Sequence, residues 1–240
     1  MKTAPFSVPA TESAAIAEQD RLRPLVRAVG GAPSPLRLIA GLDVAYAADE
    51  SRVAGAVTVL DAETLEVVET VTALRPVDFP YVPGLLAFRE IPALLDALGE
   101  LAHEPDVLVC DGYGLAHPRR FGLACHLGVL TDLPTFGVAK TAFIGRYAEP
   151  GGERGHRSDL LDGGDDDGSE VIGRVLRTQR GVKPVFVSAG HRIGLDAATE
   201  LALRLTPAYR LPETTRQADQ ACRCALAAGM ARATPGGELT

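Results

Sequence analysis

The chain has no C-x-x-C cysteine pair, no apolar run approaching about 18 residues, no glycine-rich G-x-x-x-x-G-K-S/T loop and no positive net charge. Each absence excludes a class. Four scattered cysteines (Cys110, Cys125, Cys222, Cys224) form no disulfide framework, and two of them sit in apolar stretches where cysteine behaves as a small hydrophobe. Residues Met1 to Pro24 hold neither an apolar stretch of about 7 to 15 residues nor a small-residue cleavage site. A soluble protein of the reduced cytoplasm, with no membrane partner, is expected. Gly and Pro together make 42 of 240 residues, below the roughly 25 to 30% that marks low-complexity chains.

What is present supports one large domain over residues 1–240. At this length a folded chain buries on the order of 70 to 75% of its unfolded surface, and 46% hydrophobic residues can supply that core. The net charge of −7 argues against generic nucleic-acid binding, yet it conceals an asymmetry. Ser158 to Glu170 carries six carboxylates and no cation, whereas Gly112 to Ala148 sets Arg119, Arg120, Lys140 and Arg146 against Asp132 alone. A phosphate can be met in the second segment. Residues 151–169, rich in Gly and Asp, read as a flexible acidic surface loop, and Asp165 to Asp167 as a solvated run within it.

Periodicity predicts helices over Ala10–Gly30, Leu85–Leu101, Arg119–Leu130, Leu195–Leu205 and Arg216–Ala233. Pro92 must either open the second of these at its first position or kink an earlier start. Strands are predicted over Leu36–Ala47, Val53–Leu60, Leu65–Leu74, Val107–Cys110, Pro134–Ala139, Glu170–Thr178 and Lys183–Ser188, with a hairpin turn at Asp61 to Thr64. Hairpinned strands followed by alternating strands and helices imply an α/β fold with a mixed sheet and helices on both faces.

Asp43 and Asp111 each end an apolar strand run. Two carboxylates fixed on rigid strands, with a third such as Glu90 from a helix, make the hard oxygen cluster that Mg²⁺ prefers and phosphoryl chemistry uses. Either aspartate alone reads equally well as a turn former at a strand end.

Six blocks resemble the endonuclease V family, in the family's order and across about 180 residues: Gly41 to Tyr46, Pro80 to Pro92, Asp111 to Arg120, His126 to Lys140, Ser188 to Ile193 and Arg210 to Asp219. The resemblance implies a ribonuclease H-like fold with a five-stranded mixed sheet. It further implies a Mg²⁺-dependent DNA-repair endonuclease, for which Mn²⁺ can substitute. Such an enzyme recognises deoxyinosine and hydrolyses the second phosphodiester bond on its 3′ side, leaving 3′-hydroxyl and 5′-phosphate ends. It makes Asp43 and Asp111 the central metal ligands, with Glu90 beside them and Asp219 at a fourth position that is His in some relatives. Lys140 faces the scissile phosphate or the attacking water.

The same resemblance makes Pro80 to Gly84, with Tyr81 and Pro83, a strand-separating wedge, and sets Leu86, Gly112, Gly114 and Leu123 around the base pocket. His117 and Arg119–Arg120 are assigned to phosphate contacts or pocket support, and His126 and His191 to packing or hydrogen bonding. Tyr113 and Cys125 depart from the family pattern, where His and Ser are common. Three alternatives stay open beside this reading: an inosine-specific endoribonuclease, a non-cleaving reader of deaminated bases, and a ribonuclease H-like nuclease acting on junctions or hybrids. A sugar-kinase-like phosphotransferase is disfavoured because Asp43-Val-Ala-Tyr-Ala47 lacks the Gly and Ser/Thr that hold nucleotide phosphates. A monomer is expected.

Overall fold

The computed structural model describes residues 3–163 and 169–233, so the Asp165 to Asp167 run lies outside the described residues. Helix α1 (Glu12–Leu22) starts at Thr11, whose hydroxyl accepts from the Ala14 N–H. It ends well before Gly30, because Pro24 has no N–H for the helical ladder and leaves only a 3-10 turn over Arg23–Leu25. Strands β1 (Leu38–Tyr46), β2 (Arg52–Asp61) and β3 (Val67–Pro76) form an antiparallel meander. Asp61 Oδ1 closes the β2–β3 turn by accepting from the Glu63 and Thr64 N–H groups.

Helix α2 (Ala87–Gly99) starts five residues before Pro92, which lies within it, and this puts Glu90 in its first turn. Strand β4 (Val107–Asp111) runs parallel to β1, and β5 (Thr135–Ala139) parallel to β4. Helix α3 (Leu123–Thr131) connects them. It starts later than the expected Arg119 because Arg120 takes a left-handed φ of 53°, which a right-handed helix does not admit. The chain then adds β6 (Arg157–Asp162), β7 (Glu170–Leu176), β8 (Val185–His191), α4 (Leu195–Arg204) and α5 (Glu213–Ala233).

The sheet has eight strands in the order β3-β2-β1-β4-β5-β8-β7-β6, three more than the resemblance implied. Strand β6 is the main correction, since it crosses the segment read as loop. It pairs antiparallel with β7 and buries only Leu160, against Ile172, Val175 and Phe186. One inward leucine among polar residues leaves no alternation to detect. Its carboxylates are partly spoken for: Asp159 pairs with Arg174, while Arg120 bridges Asp162 (2.7 Å) and Glu170 (2.8 Å).

Packing on both faces of the central strands makes them rigid. Leu42, Val57 and Val59 pack with Ile91, Leu94 and Leu98 of α2 and Leu127 of α3, whereas Ala54 and Ala56 meet Ala218 and Cys222 of α5. Truncating a fully buried leucine such as Leu42 to alanine costs about 2 to 5 kcal/mol. Helix α5 comes so close that a Cβ on Gly41 would lie 2.1 Å from the Thr214 carbonyl, so only glycine fits there. That close approach carries Asp219 toward the end of β1.

Candidate active site

In the parallel β1–β4 register Leu42 lies opposite Cys110, so the next residues, Asp43 and Asp111, stand side by side where that pairing stops: Asp111 closes β4, while Asp43 lies within β1, still paired with Ala56 of β2. Asp43 is buried and accepts from the Val44 N–H at 2.8 Å. Burial, and then the neighbouring Asp111 charge, push its carboxyl well above the usual range. Glu90, from the first turn of α2, is pushed up to about 8 by burial and then by the Asp43 and Asp111 charges. Asp219 of α5 adds its field to Asp43 and is held by Arg223 at 2.9 Å.

Lys140 follows β5 directly and sets Nζ 2.5 Å from Asp111 Oδ2. Burial opposes its charge, but the hydrogen bond and the Asp111, Asp43 and Asp219 charges outweigh burial and raise its pKa. Asp43, Glu90, Asp111, Lys140 and Asp219 thus form one electrostatic unit. Its donors are hard carboxylate oxygens on rigid elements, and their mutual repulsion is the kind a divalent cation relieves, so the donor chemistry fits Mg²⁺ or Mn²⁺. The side chains do not themselves close a cage: among the described residues no three His, Cys, Asp or Glu groups are arranged to hold a metal ion.

Beside this centre opens a cavity of about 380 Å³, within the range of small-ligand sites. Tyr81, Pro83, Gly84 and Leu86 form one wall, and Gly112, His117 and Leu123 another. Glu90, Asp111 and Lys140 line it too, so it opens directly onto the carboxylates. Gly84 and Gly112 take φ of 82° and 150°, which side chains rarely adopt, letting backbone face the cavity. Tyr81 is 64% exposed at the rim, with its ring 5.9 Å from the Arg89 guanidinium.

Three expected residues fall elsewhere. Gly114 does not line the cavity; its N–H donates to Ser188 Oγ at 2.8 Å, and a Cβ there would lie 2.1 Å from the Ala189 carbonyl oxygen. Arg119 lies behind the wall, donating to the Gly84 carbonyl and to Gln19. Arg120 points to the β6–β7 hairpin. His117 is buried, and burial followed by the Arg119 charge pushes its pKa down to about 4, so it is a neutral hydrogen-bonding ring at pH 7. His126 packs among Phe6, Phe88 and Phe121.

Gln19, Phe121, Thr141 and Phe143 also line the cavity and escaped sequence reasoning. Gln19 had a signal: with Ala15 and Leu22 it forms the buried stripe of α1, a polar residue on an apolar face.

A ribonuclease H-like sheet that presents a carboxylate–lysine centre beside a base-sized cavity defines the class, a nuclease. A profile of the family described as Endonuclease V matches residues 20–220. Endonuclease V of Streptomyces avermitilis is 56% identical over 223 residues, covering 92% of this chain and 95% of the relative. The crystal structure of endonuclease V from the same organism superposes with a TM-score of 0.88 at 54% identity, over 96% of this chain and all of that one. Ciona intestinalis endonuclease V, solved with a 24mer DNA containing an inosine followed by a ribo-adenosine, gives a TM-score of 0.78 at 28% identity, over 90% of this chain and 98% of that one. The chain belongs to the endonuclease V family.

Proposed function

We propose that the chain is a Mg²⁺-dependent endonuclease that recognises deoxyinosine in DNA and hydrolyses the second phosphodiester bond on its 3′ side, leaving 3′-hydroxyl and 5′-phosphate ends. The observation that carries this reading is the shared wall: Glu90, Asp111 and Lys140 line the cavity and also belong to the acidic centre. A base held in the cavity brings its own strand across the carboxylates. The inosine-containing DNA bound by the Ciona relative supports that occupant.

Asp43 and Asp111, with Glu90 and Asp219, would hold Mg²⁺ or Mn²⁺. Such an ion supplies Lewis-acid polarisation of the phosphate and a water of lowered pKa. The chain's own residues do the rest. Lys140 offsets phosphate charge at the lip of the cavity, and Tyr81 with Pro83 enters the stack where the base leaves it. Backbone groups of the cavity walls, other than the Gly84 carbonyl and the Gly112 N–H that the chain already engages, would meet the carbonyl and N1 proton by which hypoxanthine differs from adenine. All four cysteines are free, which supports work in the reducing cytoplasm, and the chain is taken to act there as a monomer.

The test uses end-labelled duplexes with one deoxyinosine, matched adenine and RNA-inosine controls, and Mg²⁺ or chelator, with the cut position mapped. The expected product is a Mg²⁺-dependent nick one nucleotide beyond the lesion's own 3′ linkage. Binding without cutting would instead support a reader, and preference for the RNA strand an endoribonuclease.

A further inference from the structure

The carbonyl oxygen of Gly84 receives three donors: Gln19 Nε2 at 3.0 Å, His117 Nε2 at 3.0 Å and Arg119 Nη2 at 2.8 Å. A carbonyl oxygen offers two lone pairs, so it is fully saturated. The donors are locked in turn. His117 Nδ1 accepts from the Arg119 N–H at 3.2 Å, which leaves Nε2 protonated and able to donate. Gln19 Oε1 accepts from Arg119 Nε at 2.5 Å, and its Nε2 also donates to the Phe121 carbonyl at 3.2 Å. Gln19 is only 1% exposed and reaches this point from α1, far away in sequence.

We propose that Gln19 is a positioning residue for base recognition, a cross-tie from α1 that fixes the Tyr81–Gly84 wall of the cavity against the Phe121–Leu123 wall. This rests on the cavity being the lesion pocket. Gln19 acts through Gly84, Arg119 and Phe121, so its loss widens or loosens the pocket without touching the carboxylates. The consequence falls on substrate affinity and on inosine-over-adenine preference, with turnover at saturation changed far less.

Two variants separate the parts of the cross-tie. Gln19→Leu removes donor and acceptor; Gln19→Glu keeps the acceptor for Arg119 but sets a second oxygen against the Gly84 and Phe121 carbonyls. Steady-state cleavage of deoxyinosine oligonucleotides is expected to show KM raised about tenfold in both, the scale of one buried group left unpaired, with kcat within about twofold. Glu12→Gln, exposed in the first turn of the same helix, is the control and should match wild type.

A purely structural role would lower the melting temperature and the active fraction, reducing kcat while leaving KM in place, and that result overturns the proposal. So does unchanged KM in folded variants. Because the chain has no tryptophan, Tyr81→Trp supplies a single reporter, and its fluorescence anisotropy should fall when Gln19→Leu is added. Unchanged anisotropy contradicts the cross-tie even where a variant is too unstable for kinetics. Failure of the wild type to prefer inosine would overturn the pocket reading and this proposal with it, whereas failure confined to the variants removes this proposal alone.

Discussion

The cavity and the carboxylate centre share Glu90, Asp111 and Lys140, yet they are built by opposite rules. In the cavity the chain satisfies itself: Gly84, Gln19, His117 and Arg119 exchange hydrogen bonds, and no unpartnered buried side-chain polar atom found among the described residues lines it. In the centre like charges are held together by rigid strands and helices, and among the described residues Lys140 is the cation that answers Asp111. On the proposed function, recognition is pre-formed by the chain, whereas catalysis awaits a charge from outside. Repulsion of this kind persists only where surrounding packing over-determines it, at a cost to stability that function repays.

The largest expected effect comes from breaking the centre. Asp43→Asn should lower single-turnover cleavage by about a thousandfold or more, while removing repulsion raises the melting temperature of the cation-free protein by roughly 2 to 4 °C. Calorimetry beside the cleavage assay checks both, and a drop in melting temperature would mean that the carboxylates are not in conflict. Lys140→Met is next, with cleavage slowed about a hundredfold by loss of the cation at the phosphate. Quench-flow on pre-bound substrate reads it, and an unchanged rate would make Lys140 only a partner of Asp111.

Tyr81→Ala strikes the cavity instead. Duplex affinity should weaken about tenfold, the scale of one lost stack, with single strands affected much less. Equal loss in filter binding on both substrates would contradict a wedge.

The smallest effect concerns the packing behind the cavity, where His126 lies among Phe6, Phe88 and Phe121 with neither ring nitrogen hydrogen-bonded. Burial pushes its pKa down to about 3, so the unfolded chain binds this proton between about pH 6.5 and 3 while the folded one does not. Stability is then lost as pH falls toward and through that window, and only the onset of the loss, about 1 kcal/mol from this residue, falls between pH 8 and 6. His126→Phe should flatten that part of the pH dependence of urea unfolding, and an unchanged slope would show that His126 protonates in place.

The same contrast governs what could be read before folding. The meander β1–β3, the parallel pair β4–β5 and the two aspartates closing apolar runs were legible, because apolar runs and alternation register burial directly, although Asp43 lies inside β1 rather than at its end. Strand β6 was not, since its stability lies in backbone pairing with β7 and a single buried Leu160. The start of α2 needed tertiary context to settle between the two options Pro92 left. In the site, carboxylates announce themselves by type, and the family blocks carried Glu90, Lys140 and Tyr81. Gln19 and Phe143 could not be placed by type, for their contribution is a contact made far along the chain. Charge left Arg119 between a phosphate contact and a pocket support, and only the fold shows its guanidinium engaged with Gly84 and Gln19 of the cavity wall.

The most direct test of a self-built pocket beside a cation-dependent centre is equilibrium binding of deoxyinosine and matched adenine oligonucleotides in chelator, with cleavage followed in the same tubes. Cutting should stop while inosine is still preferred by about tenfold or more, the discrimination available from one or two buried hydrogen bonds. Loss of that preference on chelation would mean that the centre, rather than the Gly84 wall, builds recognition.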